Sequence, residues 1–143
     1  ASLGPEPLSE AFTAEHLYQQ TRQRRAAIKL VLMDHHMVVG VGNIYASEAL
    51  FHAGIRPGRQ AKGLSHEEVR KLVAAIKDVL AMAVRVGGTT LRDYVGADGK
   101  PGYFRQELFV YERASEPCRH CGDPIRQRVL GQRSTYWCHR CQS

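Results

Sequence analysis

Cys118-Arg119-His120-Cys121 and Cys138-His139-Arg140-Cys141 are two Cys-x-x-Cys pairs separated by sixteen residues. Each pair turns two sulfurs toward one point, and the stretch between them is long enough to form a hairpin that closes both pairs into one tetrahedral cage. These are all the cysteines of the chain, so no thiol is left over. The same four thiols could form two disulfides or a rubredoxin-type iron site. The spacing, and an N-terminus without a charged-then-apolar secretory pattern, favour one structural Zn2+. Four cysteines leave the ion no open position. The metal therefore holds together a segment too small to bury a core of its own and does not activate water.

Working outward, the residues between the pairs include Arg126, Arg128, Gln132, Arg133, Ser134 and Thr135, beside the aromatic pair Tyr136-Trp137. Gly131-Gln132-Arg133 has turn composition and presents Arg133 at a hairpin tip. Guanidinium and hydroxyl donors on a rigid loop suit phosphate groups, so nucleic acid is the natural partner. The formal charge of +6 agrees with this. It remains positive after metal binding, and by itself it favours polyanions without separating DNA from RNA or an anionic membrane surface. No apolar run approaches the ~20 residues needed to span a bilayer, and a soluble intracellular protein is expected. The length of 143 residues allows one moderate domain plus a metal-stapled appendage. The start Ala1-Ser2-Leu3-Gly4-Pro5 reads as that of a cut or processed fragment.

Upstream of the finger the pattern is helical. Leu3 to Leu8 resembles a linker; Thr13 can cap a helix running to about Arg25, and Ala26 to Met33 forms a second helical piece. Asn43 is placed as the N-cap of a short helix, Ile44 to Ala53, that Gly54 stops. Ser65 and Glu68 form a capping box opening a long helix to Gly87, with Val69, Leu72, Val73, Ile76, Val79, Leu80 and Ala83 on its core face. Thr89 to Gly102 is polar and Gly-containing, either a functional loop or a plain connector. Glu107 to Tyr111 alternates weakly and reads as a strand leading into the finger. The turn Gly40-Val41-Gly42-Asn43 exposes N–H groups near a helix start and could cradle a phosphate, with Lys29, Arg24 and Arg25 converging on the same backbone. Asn43 could equally be a satisfied cap. Two glycines without a flanking strand do not make a dinucleotide fingerprint.

These residues resemble a known family. Leu3-Gly-Pro-Glu-Pro-Leu8, Ile28-Lys29 with Leu32-Met33-Asp34, Val38 to Glu48, Gly87-Gly-Thr-Thr-Leu91, Asp98 to Phe104 and the four-cysteine finger ending in Gln142 look like the C-terminal half of bacterial formamidopyrimidine-DNA glycosylase. The resemblance implies a mainly α chain with a small β zinc finger: a linker from an N-terminal catalytic domain over 1–12, a helix-two-turn-helix domain over 13–104 and the finger over 105–143. Such enzymes flip an oxidised purine out of duplex DNA, excise it and nick the strand, using an N-terminal proline amine that these residues do not contain. The polypeptide is therefore expected to be inactive alone. Carried over by position, Asn43 and Arg133 grip phosphates, with Arg133 also the proton donor for δ-elimination, and Arg24 and Lys29 face DNA near the lesion. Thr89, Thr90, Leu91, Arg92, Asp93 and Tyr94 fall in the loop that folds over the extruded base. The implied partners are double-stranded DNA containing 8-oxoguanine or formamidopyrimidines and the protein's own N-terminal domain. The protein would be a monomer in the bacterial cytoplasm at the nucleoid. The endonuclease VIII branch, acting on oxidised pyrimidines, is the nearest relative to be confused with it. A non-enzymatic zinc-containing nucleic-acid module and a protein-interaction scaffold are the other classes.

Overall fold

Thr13 and Ser65 start two helices through their side chains. Thr13 Oγ1 accepts the His16 N–H at 3.0 Å at the start of α1 (Ala14–Thr21). Ser65 Oγ accepts the Glu68 N–H at 3.1 Å while the Glu68 carboxylate accepts the Ser65 N–H at 2.9 Å, the reciprocal pair that opens α4 (His66–Gly87). Between them lie α2 (Ile28–Leu32), α3 (Asn43–Ala53) and a 3-10 turn, Ala61–Gly63; an antiparallel ribbon of β1 (Arg126–Leu130) and β2 (Arg133–Trp137) follows. The computed structural model describes residues 3–87 and 108–143. Thr89 to Tyr94, and the Asp98 to Phe104 motif, lie outside the described residues.

The first helix ends earlier than its periodicity suggests, at Thr21 rather than about Arg25. Past Thr21 the backbone tightens to i→i−3 bonds, Arg22 N–H to Gln19 O at 3.4 Å and Arg24 N–H to Thr21 O at 3.1 Å, and the chain then pairs with the 59–62 segment. Arg24 O and Ala26 O accept the N–H groups of Lys62 and Ala61 at 2.9 and 3.0 Å, and the Ile28 N–H is donated to Arg59 O at 2.7 Å. Arg22 reinforces the break by donating to the carbonyls of Lys62 and Leu64. Asn43 is likewise displaced by one position from its expected role: Gly42 is the N-cap of α3, and Asn43 is the first helical residue, its side chain free to reach elsewhere. Gly54 ends that helix in the left-handed conformation, φ 76°, as a glycine there permits.

The segment expected to be a linker lies against the helices. Gly4 donates to His35 O at 2.8 Å, Pro5 O accepts the Val39 N–H at 2.9 Å, and Phe12 is fully buried. A β-carbon on Gly4 would stand 2.5 Å from the Met37 carbonyl, so only glycine allows this approach.

Helix α3 is the central strut. It is buried from Tyr45 to Phe51 and packs on α4, which also covers α1. Most of its side chains join the main core with Leu72, Ile76 and Leu80 of α4, whereas Phe51 enters a second cluster with Val110, Ile125 and Tyr136 of the finger. A helix apolar almost all round belongs inside a structure, and the acid it carries there requires compensation. That acid is Glu48, 1% exposed. Its carboxylate accepts the successive N–H groups of Phe109, Val110 and Tyr111 at 2.7, 2.8 and 2.9 Å. Over the described part of that weakly alternating segment, residues 108–111, no strand forms, because the N–H groups of Phe109, Val110 and Tyr111 turn inward to one side chain instead of outward to a ladder. Burial pushes the Glu48 carboxyl above its ordinary range, opposed by the three N–H donors and by Arg113.

Removing this acceptor leaves three buried donors with no partner. Glu48→Ala is expected to destabilise the zinc-loaded chain by about 3 kcal/mol or more. Denaturant unfolding measures the loss, and amide exchange should rise first at residues 109–111.

Candidate nucleic-acid interface and metal centre

The sulfurs of Cys118, Cys121, Cys138 and Cys141 all lie within 4.8 Å of one another. Two of their separations, Cys118 to Cys141 and Cys121 to Cys138, are 3.8 and 3.5 Å. A tetrahedron with Zn–S bonds of about 2.3 Å has edges of about 3.8 Å, so the donor set fits zinc in both chemistry and spacing. The surrounding backbone is arranged for thiolates: His120 and Cys141 donate their N–H groups to the sulfurs of Cys118 and Cys138, both at 3.3 Å. Gly122 turns the first knuckle at φ 83°, returning its N–H to Cys118 O. Gln142, also buried, closes the second by accepting the Cys138 N–H at 2.7 Å and donating to Ile55 O at 2.8 Å, which ties the end of the finger to the end of α3.

The ribbon between the knuckles turns through Gly131 and Gln132, both at positive φ (57° and 68°), the two-residue geometry whose twist suits a hairpin. Leu130 pairs with Arg133, so Arg133 stands exposed at the tip, as its turn context suggests. The tip rests on α2, where a β-carbon at Gly131 would come 2.6 Å from Leu30 Cδ2.

Two side chains from the helical domain reach the strand beyond that tip. Lys29 Nζ donates to Thr135 Oγ1 at 2.6 Å and to Ser134 O at 3.4 Å. Asn43 Nδ2 donates to the same Ser134 carbonyl at 3.1 Å. Lys29, Asn43 and Arg133 are thus brought together around one turn of backbone. Lys29 is fully buried, and burial first, then the neighbouring Arg133 charge, pulls its pKa down to about 8. Arg24 is engaged elsewhere, in an ion pair with Asp34 at 3.4 Å. In front of α3, a β-carbon on Gly42 would meet nothing within 4 Å, which leaves space at the positive end of that helix. Sequence reasoning did not single out Glu48 for a role. Its signal is an acid within an otherwise apolar helix.

A helix-two-turn-helix domain with a four-cysteine zinc finger docked on its central helix is the class these features define. The model of the formamidopyrimidine-DNA glycosylase H2TH domain matches residues 3–95, and that of the zinc finger found in FPG and IleRS matches residues 115–143. The chain belongs to the formamidopyrimidine-DNA glycosylase family. It is 62% identical over 142 residues to the formamidopyrimidine-DNA glycosylase of Serratia proteamaculans, covering 99% of this chain and 53% of that one. The crystal structure of the MutM (Fpg) protein from Thermus thermophilus superposes with a TM-score of 0.88 at 45% identity, over 99% of this chain and 54% of that one. The Lactococcus lactis Fpg complex with abasic-site DNA gives 0.87 at 32% identity, over 99% and 51%. The chain spans about half the length of the curated relatives it matches. Among the described residues, no helix is long and apolar enough to cross a membrane.

Two outcomes follow from this geometry. Chelating the zinc is expected to unfold residues from about 116 onward while α4 keeps its helicity, since only the finger depends on the cage. Circular dichroism with metal analysis measures this, and a hairpin that stays ordered without metal refutes it. For Lys29, the folded pKa near 8 against an ordinary 10.5 means that the unfolded chain holds the extra proton between those values. This residue's contribution to stability therefore rises with pH through that window and is least below it. An NMR titration of the lysine ammonium should show the low midpoint, and Arg133→Ala should raise it.

Proposed function

We propose that these residues form the DNA-binding half of a bifunctional DNA glycosylase and abasic-site lyase that removes oxidised purines, 8-oxoguanine and formamidopyrimidines, in base excision repair in a bacterial cytoplasm. The observation that carries the reading is the convergence of Lys29 and Asn43 on the Ser134 carbonyl, which holds the backbone next to the exposed Arg133 against the first residue of α3. A helix N-terminus, an amide and a guanidinium together suit the phosphates flanking a nucleotide drawn out of the duplex. Lys29 acts from behind, adding charge beneath the tip and holding its geometry. The Lactococcus lactis relative in complex with abasic-site DNA supports DNA as the ligand.

In the whole protein, the amine nucleophile that attacks the sugar C1′ and expels the base belongs to a partner domain. The resulting Schiff base loses the 3′ phosphate by β-elimination and the 5′ phosphate by δ-elimination, with Arg133 placed to donate a proton in the last step. These 143 residues supply binding and orientation. Orientation of an amine against the sugar contributes about 7–11 kcal/mol to such a reaction, which the isolated polypeptide cannot recover.

Asn43→Ala and Arg133→Ala are each expected to weaken binding to a duplex with an abasic-site analogue by about 1–3 kcal/mol, the cost of losing a hydrogen bond to a charged group. Fluorescence anisotropy in moderate salt measures it, and unchanged affinity in both variants rejects the phosphate-gripping role. Incubated with abasic duplex and borohydride, a polypeptide of these residues should give no specific covalent adduct. An efficient adduct lost on blocking one amine would place a nucleophile in this half.

A further inference from the structure

A second basic groove runs along the ribbon, from the Arg126 and Trp137 end toward the Gly131-Gln132 turn. It is a cavity of about 330 Å³ between the turn after α3 and one face of the ribbon, lined among others by Arg56, Arg59, Arg126, Arg128, Leu130 and Trp137. The strand register explains the lining. Arg126, Arg128 and Leu130 alternate onto one face of β1, and Trp137 is the cross-strand partner of Arg126.

The four guanidiniums are not equivalent. Arg59 is neutralised by the Glu68 carboxylate at 2.5 and 3.1 Å. Arg56 is held rigid by the carbonyls of Gln142 and His139, both at 2.8 Å, and keeps its charge. Arg126 and Arg128 are exposed and make no side-chain hydrogen bond or ion pair among the described residues. Among the described residues, no carboxylate lines the groove. Three cationic groups thus face a cavity with an aromatic and aliphatic wall that extends along β1 as far as Leu130, the cross-strand partner of Arg133.

We propose that this groove binds a single nucleic-acid strand, with successive phosphates on Arg126 and Arg128 and a base against Trp137. Two residues apart on a strand, the arginines repeat every ~6.6 Å, a spacing suited to neighbouring phosphates of an extended strand. An aromatic side chain beside a cationic track is the arrangement that holds unpaired bases irrespective of sequence. An acidic peptide would satisfy the charges but leave the indole unused. A rigid duplex keeps its bases stacked away from the wall. The site is independent of the lesion-binding reading: it uses neither Asn43 nor Arg133.

The chain contains one tryptophan, so its intrinsic fluorescence reports on this groove directly. Titrating the zinc-loaded chain with the oligonucleotide dT8 should quench Trp137 saturably, with an affinity that falls as salt rises. Arg126→Glu/Arg128→Glu should weaken that response at least tenfold, and the milder Arg126→Gln/Arg128→Gln several-fold, with zinc content and circular dichroism unchanged. Asn43→Ala should leave the dT8 response as it is while losing abasic-duplex affinity, which separates the two sites. Absence of quenching, quenching insensitive to both arginine pairs, or equal quenching by polyglutamate would each overturn the proposal.

Discussion

Three backbone N–H groups meeting one buried carboxylate hold the two parts of this protein together. Glu48 stands in the middle of α3, the helix whose N-terminus carries Asn43 and whose last turns carry Phe51 into the finger's core. A carboxylate accepting from successive residues behaves as a fixed clamp, because each donor would be left unpaired in a low-dielectric surrounding if it moved away. Phe109 stacks on Phe51 with ring centroids 5.4 Å apart, and Arg113 returns a guanidinium N–H to Phe109 O at 2.7 Å. The start of the finger is therefore located by α3 before any metal is considered.

The metal and the helices then act on different ends of the same ribbon. The cage sets the knuckles at one end, while Lys29 and Asn43 pin the other through Ser134 and Thr135. Arg133 lies where these constraints meet, on a tip too short to sag and resting on Leu30. Burying an ammonium to achieve this is costly, and the depressed pKa of Lys29 is the measure of it. Such a cost is tolerable where it fixes the position of a group that must meet a phosphate.

Much of this architecture was legible in the residues because the signals are local. The Cys-x-x-Cys spacing, the Thr13 cap, the Ser65 and Glu68 box, the stop at Gly54 and the turn at Gly131 each operate over a few neighbours, and each appears in the structure as read. What the residues do not disclose depends on partners far along the chain. The C-cap of α1 is held by the Lys62 and Leu64 carbonyls, residues 109–111 by Glu48, and the environment of Lys29 by Thr135. Periodicity carries no information about such pairings. Asn43 shows the intermediate case: its place at the start of α3 follows from Gly42, but its side chain leaves the cap to bond a strand ninety-one residues later.

The finger is returned to the helical domain at both of its ends, by Glu48 near its start and by Gln142, which donates to Ile55 O, at its finish. A body hinged at one point can swivel freely, whereas one hinged at two points can only rock about the line that joins them. The ribbon therefore has one soft direction of motion, and Lys29 and Asn43 brace it at its far end.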